Sequence, residues 1–508
     1  MLAKLISCTL SGVDGLLVDV EIDVALGLPT FQIVGLPDSS VRESKDRIKS
    51  AIKNCLYDFP NRKITVNLAP ADMKKEGTGF DLPIALGILS ATGLIPPEKI
   101  SRFCIAGEVS LDGQVRKVHG ILPIILAAYA AGLTGVIIPF ANMDEARLVA
   151  DKIAVYPIKT IPDAVEFFLE KTELNPVESG TDKLIAHNRV YNCDFSEVKG
   201  QHHVKRALEI AASGNHNVIL TGPPGTGKTM LARRLNTILP DMTYEEIIET
   251  TKIYSVSNLF NEVMEVQSTR PFRAPHHTIS DVGLVGGGST PRPGEVSLAH
   301  NGILFLDEFP EFRKSVLEAL RQPIEDGNVT ITRANNSLTF PSRFLLVAAL
   351  NPCPCGFKGD ATKDCSCTDI AVQRYMSKIS GPLLDRFDLH IEVGRIDYDN
   401  LQNPKPAESS EIIRKRVNHA RMVQGERFKA SSGVHCNGMM SPKEIEQFCF
   451  LDDTASSLLR KGVERLGLSA RGYHRILKVA RTIADMGESE TIQTSHIAEA
   501  IQYRRLTL

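Results

Sequence analysis

The 508-residue chain is too long for one hydrophobic core and is expected to fold as about two or three domains. With 43% apolar residues, 23% charged residues and a net charge near −2, it is an ordinary globular protein, and binding of nucleic acid over its whole surface is excluded; such binding needs a local patch or an inner surface. No run approaches the roughly 18 apolar residues of a membrane span, and the opening MLAKLISCTLSGVDG has too short an apolar run for a secretory signal, so a cytoplasmic protein with reduced thiols and no membrane partner is expected.

Residues 1–170 mix alternating strands such as KITVNLAP and RFCIAGEVSL with apolar helices such as DLPIALGILSATG and GILPIILAAYAAG, an α+β pattern. The polar stretch 171–190 reads as a linker. Over 191–395 strands and helices alternate, as in a parallel α/β sheet. There the strand NVIL feeds GPPGTGKT at 222–229, which matches G-x-x-x-x-G-K-[ST] and opens the helix MLARRLNTIL. Gly222, Pro223, Pro224, Gly225, Thr226 and Gly227 then form the ATP-binding loop, in which Gly222, Gly225 and Gly227 let the backbone turn its N–H groups onto the phosphates. Lys228 reaches the β- and γ-phosphates, and Thr229 ligates Mg2+.

The next stretch, RPFRAPHHTISDVGLVGGG at 270–288, is poor material for helix or strand. Gly286–Gly288 suit close backbone approach and mobility. Arg273, His276 and His277, with Arg270 and Arg292, have two readings: contact with a phosphate backbone without base reading, or helix caps and salt bridges. The two adjacent histidines have no third ligand nearby and do not make a metal site. GILFLDEF at 302–309 is a buried parallel strand with Asp307 and Glu308 at its C-terminal edge, where ligands of such sheets bind. Asp307 belongs to the Mg2+ shell, and Glu308 polarises the attacking water.

GNVTITRANNSLTFPSRF reads as a hairpin turning at Ala-Asn-Asn, with Arg333 near its tip. The strand FLLVAAL ends in Asn351, which either orients the lytic water or makes a turn before Pro352. Cys353, Cys355, Cys365 and Cys367 follow as C-P-C-G and C-S-C. Four thiolates suit tetrahedral Zn2+, although C-x-C pairs are tighter than the usual knuckle, and four free thiols in a loop are the other reading. The other six cysteines are expected as dispersed core residues. In GPLLDRFDLH, Arg386 either makes a salt bridge to Asp385 or Asp388 or acts as an arginine finger on a neighbouring subunit. Residues 396–508 read as helical, and in SARGYHRIL Arg471, or Arg475 one turn later, is placed to sense the γ-phosphate.

Taken together, the phosphate loop, acidic strand, Asn-ended strand, LLDRFD and C-terminal arginine helix resemble an AAA+ ATPase. The insert, with ALNPCPCG, resembles the magnesium-chelatase-like branch, and nearly all 508 residues resemble the YifB/ComM group. That resemblance implies an α/β fold in three parts: an N-terminal Lon-protease-like (ribosomal-S5-like) α+β domain, an AAA+ P-loop core and a C-terminal helical lid. It further implies a homo-hexameric ring with the insert and the hairpin facing its pore. The implied activity is an ATP-driven motor on single-stranded, forked or junction DNA. It promotes branch migration in homologous recombination during natural transformation, alongside recombination proteins. The alternative is a magnesium-chelatase or MoxR-like ATPase that remodels a protein partner. Aligning EGTG with the Lon motif D-G-P-S puts Gly79 at the nucleophile position, and aligning HGIL with G-G-L-K puts Leu122 at the lysine position. Neither residue can do the nucleophilic or base chemistry of a Ser–Lys dyad, and Ser90 or Lys117 would need an unforeseen geometry to replace it, so protease activity is not expected.

Overall fold

Alternation in DGLLVDVEIDVA sets the first sheet: Val18, Val20, Ile22 and Val24 point into the core while Asp19 and Asp23 face solvent. This strand, Asp14–Ala25, pairs antiparallel with Leu2–Ser11 and Lys63–Ala69. Seven strands follow the order Thr30–Val34, Lys63–Ala69, Asp14–Ala25, Leu2–Ser11, Phe103–Ile105, Gly135–Pro139 and Ala154–Ile158, the last four parallel to one another. All eleven residues of the helix Asp81–Ala91 are buried, as expected of a helix that is apolar all round. Asp81 at its start is paired with Arg47, Nε to Oδ2 2.7 Å, and accepts from Val109 N.

The computed structural model describes residues 1–75, 77–180, 191–257, 266–288, 291–333, 336–360, 362–395, 407–431 and 433–504. The second half of the expected linker, 181–190, lies outside them, as does the start of the expected lid at 396–406. Among the described residues no helix is long and apolar enough to cross a membrane.

The chain divides into two compact units, 1–189 with 244–268, and 190–243 with 269–508. The excursion 244–268 was not visible in the sequence. Its helix, Tyr244–Ser257, belongs to the first unit: Tyr244 Oη donates to Leu148 O at 2.6 Å, Ser255 O accepts from Gly120 N at 3.2 Å, and Lys252 pairs with Asp14.

In the second unit five parallel strands run in the order Phe272–Arg273, Ile303–Leu306, Leu345–Leu350, Val218–Thr221, Leu389–Glu392. The strand ending in Asn351 therefore separates the phosphate-loop strand from the acidic strand, and all three discharge at one edge. The C-terminal helices Ser410–Arg427, Asp453–Leu466, Ala470–Met486 and Thr494–Gln502 share a continuous core with this sheet, joining Val218 and Val347 to Ile476, Leu477 and Ile497. The expected hairpin is present, Asn328–Arg333 against Asn336–Pro341.

The insert holds more regular structure than its composition suggested. Phe272–Arg273 joins the sheet, and Asp281–Val285 is a short helix because the Ser280 hydroxyl caps Gly283 N. Gly286–Gly287 then pair with Arg292–Pro293. Gly286 has φ +108°, and a Cβ there would stand 2.5 Å from Arg292 O, so close backbone approach is what this glycine provides.

Candidate active site

The phosphate loop turns into the helix Lys228–Ile238 through Gly227, whose φ of +88° only glycine adopts without strain. Lys228 folds back over the loop. Its ammonium donates to Gly222 O at 2.6 Å, Pro223 O at 2.9 Å and Asn351 Oδ1 at 3.1 Å, all neutral oxygens. Burial pulls its pKa below the usual lysine value, while Asp307 works the other way. Thr229 Oγ1 donates to Asp307 Oδ2 at 2.6 Å, so a hydroxyl from the first turn of the helix and a carboxylate from the end of the acidic strand meet at one point. Thr226 is pinned by Pro223 O at 3.0 Å.

Glu308 follows with φ +51°, an uncommon conformation for a non-glycine residue, and its N–H donates to Asp307 Oδ1. Its carboxylate lies 3.2 Å from His277 Nδ1. The insert therefore reaches the acidic pair. His276 stacks on His277, ring centroids 4.1 Å apart, and is itself held by Thr278 Oγ1 at 2.9 Å. His277 rests edge-on against buried Phe312. Arg273 forms a two-pronged pair with Glu295, at 2.6 and 2.7 Å, and Arg270 ties down the carbonyls of Pro240, Asn301 and Asp241. Arg273 has the contact of the salt-bridge reading, whereas the contacts of Arg270 are with backbone carbonyls. Arg333 ends its strand opposite Asn336, and its side chain lies outside the described residues.

Arg386 is buried, and its partner is neither Asp385 nor Asp388 but Glu325, with a further bond to Pro382 O at 2.5 Å. Asp388 is taken instead by Arg475 and by Asn217 N. Arg471, well exposed, lies 3.9 Å from the same Glu325. Arg386 and Arg471 thus converge on one carboxylate, and among the described residues no ion pair links them to the phosphate loop. The four clustered cysteines do come together, with every sulfur within 4.8 Å of the others. Of the remaining six, Cys8, Cys104, Cys436 and Cys449 are buried as expected, whereas Cys55 and Cys193 are only half-buried.

Residues 20–142 match the family described as "Subunit ChlI of Mg-chelatase", residues 194–401 "Magnesium chelatase, subunit ChlI", and residues 407–504 its C-terminal part. The chain is 45% identical to competence protein ComM of Haemophilus influenzae over 97% of this chain and 96% of that one. The chain belongs to the YifB/ComM family. It is also 42% identical to YifB of Escherichia coli, over 97% of this chain and 95% of that one. Over 44% of this chain and 60% of the relative, it is 27% identical to the magnesium-chelatase 38 kDa subunit of Rhodobacter capsulatus. The mixed α/β architecture with its parallel sheet is that of a magnesium-chelatase-like AAA+ protein, a family membership that implies ATP hydrolysis.

Sequence reasoning missed two carboxylates in this YifB/ComM chain. Glu295 sits in a turn-rich stretch and Glu325 at the end of a short helix, and only the folded contacts reveal their arginine partners.

Proposed function

We propose that this YifB/ComM-family chain hydrolyses ATP as a homo-hexameric ring that translocates on DNA and promotes branch migration of recombining strands. The observation that carries the motor reading is the contact between His277 of the insert and Glu308, because it ties the element assigned to the pore to the group assigned to hydrolysis. Relationship to a protein named for competence supports DNA as the track.

Residue roles follow from the site. Lys228, a buried cation whose hydrogen bonds all go to neutral oxygens, fits an anion and binds the β- and γ-phosphates with the loop's N–H groups. Thr229 and Asp307 offer hard oxygens at one point and would hold Mg2+. Bound there, Mg2+ neutralises charge on the phosphate oxygens. Glu308 draws the proton from the attacking water, and Asn351, at the strand end beside Lys228, orients that water. Arg386 acts on the neighbouring subunit's site once its pair with Glu325 opens, and Arg471 senses the γ-phosphate. The C-terminal helices serve as the lid.

The N-terminal unit is read as a degenerate Lon-like domain that acts as a cap or partner surface. Leu122 is buried, and the Ser90 hydroxyl, equally buried, donates to Ile95 O at 2.9 Å, which supports a domain without peptidase chemistry. A protein-remodelling ATPase is the second reading, favoured by the chelatase relatives.

The test is steady-state ATPase activity with single-stranded, duplex and four-way-junction DNA. Stimulation by DNA is expected. Glu308→Gln should retain ATP while losing turnover by about 10²–10⁴-fold, and Lys228→Ala should weaken ATP binding itself. Stimulation by a protein client alone would replace the DNA reading with the remodelling one.

A further inference from the structure

We infer that Cys353, Cys355, Cys365 and Cys367 form a zinc site that braces the phosphate loop. The sulfur of Cys353 lies 3.3 Å from that of Cys355 and 3.6 Å from that of Cys365, and Cys355 and Cys365 are also 3.6 Å apart. Zinc with four thiolates at about 2.3 Å places neighbouring sulfurs about 3.8 Å apart, whereas a disulfide needs about 2.05 Å. The array has the size of a tetrahedral metal site, and each of the three ways of pairing four cysteines as disulfides would need one of these separations to close to about 2.05 Å.

Two backbone N–H groups, of Cys355 and Lys358, donate to Cys367 Sγ and Cys353 Sγ at 3.4 Å each, the outer hydrogen bonding that orients and stabilises metal-bound thiolates. Four soft ligands from the protein leave no open position, so the site is structural. The loop needs such a staple, since residues 353–367 contain no helix or strand among those described.

The brace comes from Gly356, next to Cys355. It has φ +85°, and a Cβ there would stand 2.7 Å from Pro224 Cδ of the phosphate loop and 3.8 Å from Asn351 Cγ. The metal loop therefore packs its backbone against the loop that turns on ATP phosphates, two residues from the Asn351 amide that holds Lys228. Fixing the thiols fixes both.

Metal content of untagged protein, purified without added metal, decides the site. Stoichiometric zinc is expected. Its exchange for cobalt should give the sulfur-to-cobalt charge-transfer band of a tetrahedral thiolate, and the Cys365→Ser/Cys367→Ser double variant should lose both. Four freely titrating thiols without metal, a disulfide, or iron in place of zinc would each overturn it, and wild-type protein suffices even where the variant fails to fold. The brace rests on the ATP reading of the phosphate loop. Stripping zinc from protein that stays folded should weaken binding of a fluorescent ATP analogue on the order of tenfold, and Gly356→Val, with its zinc retained, should do the same. Unchanged affinity in both overturns the brace. A zinc-loaded wild-type protein that binds no nucleotide at all would instead defeat the ATP reading and leave the metal site standing.

Discussion

His277 is the residue through which the insert acts on chemistry. Its imidazole meets Glu308 across a pair that is partly exposed on both sides, a contact of about 1 kcal/mol at most. Such a contact is strong enough to bias a carboxylate between two positions and weak enough for a ligand on the insert to break. His277→Ala should therefore raise basal ATP turnover, by about fivefold at most, and flatten its response to DNA, with ATP affinity unchanged. Steady-state rates with and without DNA measure this, and a turnover lower than wild type under both conditions would refute it. A second histidine reports on stability. His390, buried beside Arg504, has its pKa pulled down to about 3 by burial and by that arginine. The unfolded chain, with an ordinary value near 6.5, binds the proton more readily. His390 thus contributes stability that is present above about pH 6.5 and lost as pH falls toward 3. Between pH 7 and pH 5 this amounts to ~2 kcal/mol at most. His390→Gln should make the drop in urea midpoint over that range visibly smaller.

At the scale of elements, the helix Tyr244–Ser257 lies within the sequence of the ATPase module and packs with the N-terminal unit. Ile247, Ile253 and Tyr254 are buried there, each worth about 1.5–3 kcal/mol relative to exposure. A fragment beginning at residue 190 should leave this face in water and aggregate, and replacing 244–268 by a short Gly/Ser linker should restore a monodisperse fragment. Size-exclusion chromatography of the two separates the outcomes; equal behaviour would mean that the helix has a partner within the core. The same element marks the limit of what the sequence discloses. The phosphate loop, acidic strand and Asn351 were legible because each is a contiguous signal, a strand end followed by residues whose chemistry is local. The four cysteines were legible as a cluster for the same reason. The placement of 244–268, the reach of His277 to Glu308 and the choice of Glu325 by Arg386 depend on contacts between residues 31 or more apart in the chain, and no local periodicity or spacing encodes those.

At the scale of the whole molecule, the proposed ring turns on Arg386. Within its own chain this arginine is buried against Glu325 and Pro382 O, and among the described residues its Nε has no hydrogen-bond partner. Burial and the neighbouring Arg321, Arg471 and Arg475 lower its pKa, with Glu325 the opposing influence. Arg321 and Arg475 have carboxylates of their own, Glu318 and Asp388, so Arg386 and Arg471 share Glu325, two cations to one carboxylate, which suits a surface that meets a phosphate carried by another subunit. A finger in trans and a purely structural arginine predict different mixing curves. Arg386→Ala titrated into wild-type protein should depress ATPase activity faster than the wild-type fraction falls, because each altered subunit also silences a neighbour. A structural arginine would give a straight line. Glu325→Gln sharpens the distinction, since it removes the restraint and keeps the cation. In a trans mechanism it should retain activity in mixed rings even where it lowers the melting temperature, whereas a structural pair would show the same loss from either side. Native mass spectrometry of the mixtures, run beside the activity assay, confirms that the subunits exchange.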